Sequence, residues 1–149
     1  MENKSTDRLQ WLLQNVAPKF NTQKADFWDF RYNPEKWSKK EILGHLVDSA
    51  TNNHHRFVRS QAEETPTIFY LQDDWVKLTH YGDLDIQIIL NLWKTYNQFI
   101  LELVKTIPDS QMQKTCDWGG GEVHSLEYIF EDYVKHLEHH LHQIVEYDN

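Results

Sequence analysis

The chain has little of what disulfide-bonded, fibrous or membrane proteins need. A single cysteine, Cys116, in 149 residues excludes an intrachain disulfide and is typical of a reducing compartment. Five glycines and four prolines are too few for a collagen-like or low-complexity chain. Apolar runs are a few residues long, far below the roughly 18 to 20 of a membrane helix, and the N-terminal MENKSTDRLQ has no signal-peptide apolar region. We therefore expect a cytoplasmic protein without a membrane partner.

Positive charge is also scarce. The 15 Lys and Arg residues are outnumbered by 23 Asp and Glu, which gives a net charge of −8 with the histidines neutral. The basic residues form no run or stripe, whereas a protein that binds a phosphate backbone needs one, so we expect no nucleic-acid partner. With 40% hydrophobic and 26% charged residues the chain has a globular composition, and its length predicts one domain, 1–149.

Four stretches of helical apolar periodicity are present, separated by turn and capping signals. The clearest start is a capping box, in which Ser38 caps the second helix and Glu41 returns the hydrogen bond. Pro18 and Pro108 are expected to end the first and third helices. The predicted helices are Thr6–Ala17, Ser38–Gln61, Asp83 or Asp85 to Ile107, and Ser125 onward.

The connectors complete the predicted fold. The segment from Thr65 to Gly82 is too aromatic for a disordered linker and is interpreted as an ordered crossover, with one helical turn near Asp73–Leu78. Gly119–Gly121 lacks the lysine and hydroxyl of a phosphate-binding loop and is interpreted as a hinge or turn. No pattern typical of a strand competes. We predict an all-α four-helix bundle with one long crossover between helices two and three.

Histidines are the most informative residues, because four of the nine fall within residues 135–143. His136 and His140 are four apart and share one helix face, so together they can hold one metal ion. Two imidazoles hold a divalent ion only loosely, which calls for a third ligand. His45 lies at the equivalent edge of the second helix and offers that third ring. Asp48, one turn further, could accept the other ring N–H of a ligand histidine.

Two other residues near the histidine cluster are weaker candidates for a role in the site. Gln143 is a second candidate for orienting a ligand ring, and Glu138 could assist proton movement. Glu138 follows His136 by two positions instead of one, which excludes the zinc-protease helix motif. A histidine at a core edge is more often a hydrogen-bonded structural residue than a ligand. The six remaining histidines are expected on the surface, at the crossover or without an assigned role: His54, His55, His80, His124, His139 and His142.

Four parts of the chain carry a family resemblance: Pro34–Ser38, Glu41–Ser49, Asp73–Val76 with His80–Tyr81, and Asp132–His140. They resemble the DinB/YfiT-like superfamily, and the resemblance covers nearly the whole chain. It implies an up-down-down-up four-helix bundle and a divalent metal site with three ligands, His45, His136 and His140. Dimers are common in the superfamily, which makes a homodimer an expectation.

Three functions follow from such a site and stay open at this point. Three histidines leave coordination positions for water or substrate, as in catalytic sites. The first expectation, by family analogy, is transfer of a low-molecular-weight thiol to a small electrophile. The second is hydrolysis of a small substrate by metal-activated water, and the third is metal or ligand binding without catalysis. Imidazole suits zinc, nickel, copper and iron, and zinc or nickel is the expected ion.

Overall fold

A computed structural model describes residues 4–148. The two ends of the predicted domain 1–149 lie outside the described residues. So does the beginning of the N-terminal MENKSTDRLQ segment. Two short 3₁₀ turns, Ala17–Thr22 and Tyr81–Asp83, accompany nine other elements. In chain order these are α1 (Lys4–Asn15), α2 (Ala25–Asp29), α3 (Lys39–Ala62), α4 (Gln72–Thr79), α5 (Ile86–Thr106), α6 (Asp109–Met112), β1 (Thr115–Asp117), β2 (Val123–Ser125) and α7 (Leu126–Ile144).

The predicted four-helix bundle is confirmed. Helices α1 and α3 each pack against both α5 and α7, so the four long helices surround one apolar core. Helices α3 and α5 are neighbours in the bundle and are joined by the long crossover. None of the helices between residues 4 and 148 is both long and apolar enough to cross a lipid bilayer.

The capping signals place three of the four long helices. Ser38 and Glu41 form the full capping box at the start of α3. Asp85, and not Asp83, caps α5 by accepting a hydrogen bond from the Gln87 N–H, and Ser125 caps α7. The end of α1 was predicted two residues too late. Pro18 lies in the first turn of the following 3₁₀ helix, where a missing N–H costs nothing.

The connector before α7 differs from the prediction that no strand is present. Strands β1 and β2 pair antiparallel, with Cys116 opposite His124. Gly119, Gly120 and Gly121 form the turn between them with φ of 111°, 67° and 84°, which L side chains rarely adopt. Three-residue strands are too short to show an alternating pattern, so no sequence pattern indicates this hairpin. The crossover is also more ordered than expected, because α4 has two turns instead of one.

One face of α3 is polar and yet buried. Arg56 shows why, since its guanidinium donates to the backbone carbonyl of Ile68 in the crossover at 2.9 Å. The crossover thus lies across this face and removes it from solvent. The stripe begins near the first turns of the helix and runs along most of its length: His45, Asp48, Ser49, Asn52, Asn53, Arg56 and Ser60, all at most 8% exposed.

Candidate metal centre

Three histidines converge where α3 meets α7. One ring nitrogen from each of His45, His136 and His140 lies within 4.8 Å of the other two. The Nε2 atoms of His45 and His136 are 3.1 Å apart. Two nitrogens bound to one tetrahedral ion at about 2.05 Å would lie about 3.3 Å apart, so this spacing fits a shared ion. All three predicted ligands are therefore brought together, and the donor set suits a divalent metal.

Local sequence explains the placement. The capping box fixes the start of α3, so His45 lies in its second turn, fully buried against α7. His136 and His140 are one turn apart near the end of α7, beside the core residue Leu137. Each helix turns its apolar stripe to the core and carries its histidines at the edge of that stripe.

Burial and mutual repulsion keep these imidazoles uncharged. Burial, and after it the neighbouring His136 and His140, together lower the pKa of His45 to about 3. Burial and the charge of His140 lower the pKa of His136 to about 4. The pKa of His140 is also lowered, mainly by burial. Neutral rings carry free nitrogen lone pairs at neutral pH, as metal ligation requires.

The Trp37 ring covers the cluster from the connector before α3. Its centroid lies 4.8 Å from that of His45 and 6.4 Å from that of His140. Trp37 and Ile42 also line a cleft of about 440 Å³, whose other lining residues are Tyr32, Asn33, Glu35, Lys36, Asp73, His140 and Gln143. His140 is the ligand histidine that lines this cleft, so solvent and small molecules reach the cluster from its side.

Asp48 lies one turn beyond His45 and is only 3% exposed. Its Oδ1 accepts a hydrogen bond of 2.5 Å from the hydroxyl of Tyr81, in the crossover. Burial raises the pKa of Asp48 to about 6, although the Tyr81 hydrogen bond pulls it down. The Tyr81 ring can approach because Gly44 has no side chain, and a Cβ there would lie 2.3 Å from the ring. The predicted contact between Asp48 and a ligand ring is not made here.

Glu138 and Gln143 have different partners. Glu138 accepts hydrogen bonds from Arg8 of α1, the shorter of 2.6 Å, and so turns toward α1. Gln143 is placed as an orienting residue would be, because its Oε1 lies 2.8 Å from Nδ1 of His140. A hydrogen bond there leaves Nε2 of His140 as the ligand atom. The Gln143 amide nitrogen also approaches His139 at 3.4 Å.

The remaining histidines have other surroundings, although the ring centroid of His139 is 5.0 Å from that of His140. His54 bonds the Tyr96 hydroxyl of α5 at 2.9 Å, and thus packs on α5 instead of the crossover. His142 stacks on Tyr147, and His124 stacks on Tyr128. His139 is exposed, as its position on the helical wheel predicted. His55 is exposed, and His80 ends α4 in the left-handed conformation with φ 55°.

Sequence reasoning missed two residues of the centre, Trp37 and Tyr81. The sequence patterns assign no role in the site to Trp37, which is included only in the matched segment Pro34–Ser38. Tyr81 was counted among the crossover aromatics without a partner. One signal was available, since Gly44 in the interior of a helix indicates a close approach by another group. That signal does not identify the approaching residue.

Comparison with known proteins gives a consistent picture. The family model of the DinB superfamily matches residues 4–144. The chain is 30% identical over 120 residues to the Bacillus subtilis protein named "Putative metal-dependent hydrolase YfiT", covering 79% of this chain and 67% of that one. A protein of Halalkalibacterium halodurans with the same kind of name is 27% identical over 111 residues, or 74% of this chain. The match spans 64% of that relative's length.

A solved structure agrees with the fold. YfiT from B. subtilis, described as "a probable metal-dependent hydrolase with an unusual four-helix bundle topology", superposes with a TM-score of 0.85 at 26% identity. The superposition covers 95% of this chain and 82% of YfiT. Because the family model extends over almost the whole chain and the bundle is shared, this chain belongs to the DinB superfamily.

Proposed function

We propose that the protein is a metal-dependent hydrolase of a small substrate, with His45, His136 and His140 as the metal ligands. The observation that carries the proposal is the convergence of three neutral imidazoles at the edge of a cleft. Three protein ligands would leave a position for water or substrate, and the cleft reaches the cluster at His140. A divalent ion held there would lower the pKa of a bound water or thiol toward neutrality. The names of the relatives support the same reaction class.

The cleft itself suits a small molecule. Its volume of about 440 Å³ is at the lower end of ligand pockets. Trp37 and Ile42 offer an apolar wall to the substrate, while the carboxylates of Glu35 and Asp73 lie on the rim. In hydrolysis a bond forms between the water oxygen and the scissile carbon, and the leaving group departs with a proton. Glu35 and Asp73 are the cleft carboxylates that can exchange that proton with solvent.

Thiol transfer is the second candidate, and one observation favours it. Both carboxylates nearest the ligands in sequence are engaged elsewhere, Asp48 with Tyr81 and Glu138 with Arg8. A low-molecular-weight thiol needs no protein nucleophile. It loses its proton to solvent, its sulfur bonds the electrophilic carbon, and the leaving group departs with the bonding electrons. Cys116 cannot take this role, because it is buried and burial raises its pKa.

The deciding experiment assays both reactions with one preparation. Protein loaded with Zn²⁺ or Ni²⁺ is given a panel of small esters and amides without thiol. It is then given a chlorinated aromatic electrophile with a panel of thiols. We expect ester or amide cleavage that needs the metal and falls at least about 100-fold in His140→Ala. The matched control is His142→Ala, an exposed histidine of the same helix whose ring stacks on Tyr147, and it should retain activity.

Each other outcome has a defined meaning. Metal-dependent conjugation of thiol without cleavage would replace hydrolysis by thiol transfer. Full metal occupancy with no turnover in either assay would favour a bundle that binds metal without catalysis. Equal activity in His140→Ala and wild type would overturn the assignment of the site.

A further inference from the structure

Two buried polar atoms beside the ligand cluster have no partner. His45 turns Nε2 toward His136, which makes Nε2 the atom that faces the proposed ion and leaves Nδ1 on the opposite edge. Within residues 4–148, neither Nδ1 of His45 nor Oδ2 of Asp48 has a hydrogen-bond partner, although both are buried. Burying such groups without a hydrogen-bond partner destabilises the fold. A buried unpaired donor and acceptor on one helix therefore need an explanation.

The chemistry of the two atoms is complementary. When Nε2 of a neutral imidazole is a metal ligand, the proton must be on Nδ1, which becomes a hydrogen-bond donor. Asp48 follows His45 by three residues, so their side chains are neighbours on one face of α3. The Asp48 carboxylate has one free oxygen, because the other accepts from Tyr81. Histidine ligands generally donate their second N–H to such an acceptor.

Tyr81 determines which oxygen of Asp48 is available. Its hydroxyl holds Oδ1 at 2.5 Å, while its ring lies against Gly44, the residue directly before His45. Tyr81 enters this position through His80, which adopts φ 55°, a conformation uncommon for residues other than glycine. The backbone of α3 and that of the crossover are thus both adapted to this one contact.

We infer that Asp48 and Tyr81 are positioning residues of the metal centre: Oδ2 of Asp48 accepts the Nδ1 proton of His45 when the ion is held, and Tyr81 fixes the carboxylate for that contact. This inference rests on metal binding by the three histidines and not on which reaction follows. Through Tyr81, the same contact ties the crossover to the ligand His45. That hydrogen bond would pair both buried atoms at once.

Metal affinity is the first test, measured by competition with a coloured chelator for Zn²⁺ and Ni²⁺. Asp48→Asn should weaken binding about 10- to 100-fold, the usual range for loss of an outer hydrogen-bond partner of a ligand histidine. Tyr81→Phe removes only a hydroxyl and should weaken binding by a smaller factor. The double variant should lose less than the product of the two factors, because the residues act in one chain of contacts.

Tyr133→Phe is a matched control for the hydroxyl deletion. The Tyr133 hydroxyl is also buried and donates at 2.5 Å to a side-chain oxygen, that of Asn97, on the α5 side of the bundle. Its loss should lower the unfolding temperature as Tyr81→Phe does, but leave metal affinity within about twofold. If Tyr81→Phe behaved in the same way, Tyr81 would be structural only and the inference would fail for it.

An NMR measurement detects the hydrogen bond itself. In the Zn²⁺-loaded protein, the Nδ1 proton of His45 should exchange slowly and be visible in a ¹⁵N-edited imidazole spectrum. It should disappear in Asp48→Ala, which removes the acceptor altogether, while the corresponding signal of His140, held by Gln143, persists. A retained His45 signal with unchanged affinity in Asp48→Ala would overturn the inference and leave the ligand set intact. Failure of the wild-type protein to bind metal would instead reject the ligand set.

Discussion

The two helices that meet at the metal centre contribute to it differently. On α3, His45 is fully buried, and its neighbour Asp48 is buried against the crossover through Tyr81. On α7, His136 and His140 are only partly buried, and their neighbour Glu138 pairs with Arg8 near the surface. The α3 side thus fixes geometry away from water, and the α7 side gives access to the cleft. Burial on the α3 side also raises the pKa of the Asp48 carboxyl.

The largest effect is expected when one metal ligand is removed, either from α3 or from α7. His45→Ala and His140→Ala should each weaken Zn²⁺ binding more than about 100-fold, because two imidazoles hold the ion poorly. The metal-free proteins should differ, since His45→Ala leaves a cavity and should lower the free energy of unfolding by about 1–3 kcal/mol, against less than about 1 for His140→Ala. Metal analysis and urea unfolding measure both quantities. Full occupancy in either variant would contradict the three-ligand site.

The second effect concerns the buried carboxylate of the α3 side. The pKa of Asp48 is raised to about 6 from an ordinary value near 3.8. The folded protein therefore binds this proton more tightly than the unfolded chain does. Stability from this group is greatest below pH 4 and falls as the pH rises through 6, by up to about 3 kcal/mol. Asp48→Asn removes the ionisation, so the metal-free variant should be about 1–2 kcal/mol more stable than wild type at pH 7.

The measurement is the difference in unfolding free energy between Asp48→Asn and wild type from pH 4 to pH 7. The other carboxylates contribute equally to the two proteins, so their pH dependence cancels in this difference. We expect the difference to shift in favour of the variant as the pH rises. A constant difference over this range would show that Asp48 is not perturbed by burial. If Asp48→Asn is more stable than wild type but binds metal more weakly, then Asp48 favours metal binding at the expense of folding stability.

The third effect lies at the start of α3, where Glu41 closes the capping box and pairs with Arg31. Burial tends to raise the pKa of Glu41, but the hydrogen bonds from Arg31 and Ser38 outweigh it and lower that pKa. Its contribution is therefore present above pH 4.5 and lost as the pH falls through the folded value. Glu41→Ala should lower unfolding free energy by about 1–2 kcal/mol at pH 7, and by less at pH 3.

Glu63→Ala is the control for that measurement. Glu63 pairs with Arg59 at the other end of the same helix, but both side chains are largely exposed. Its loss should leave stability nearly unchanged. A similar loss in both variants would mean that the capping box adds nothing beyond a surface ion pair.

The same contrast between the two sides explains what the sequence could predict. His136 and His140 followed from helical spacing, and Ser38 and Ser125 from capping chemistry, because these patterns are local. The pairing of His45 with them needed the family resemblance as well as the helical wheel. The Tyr81 contact could not be predicted, since it joins α3 to a connector whose path depends on Gly44 and on the left-handed His80. Burial of the α3 polar stripe was missed for the same reason.

The smallest effect is expected from a change at Glu138, the partly exposed carboxylate of α7. Glu138→Gln breaks the pair with Arg8, in which both side chains are about one quarter exposed, at 22% and 26%. Such a pair should contribute less than about 1 kcal/mol, and added salt should reduce the difference from wild type. Metal affinity should stay within about threefold, because Glu138 is turned toward α1. A tenfold loss of affinity in Glu138→Gln would show instead that this carboxylate supports the metal centre. The proposed division, in which α3 fixes the geometry and α7 gives access to the cleft, would then be wrong.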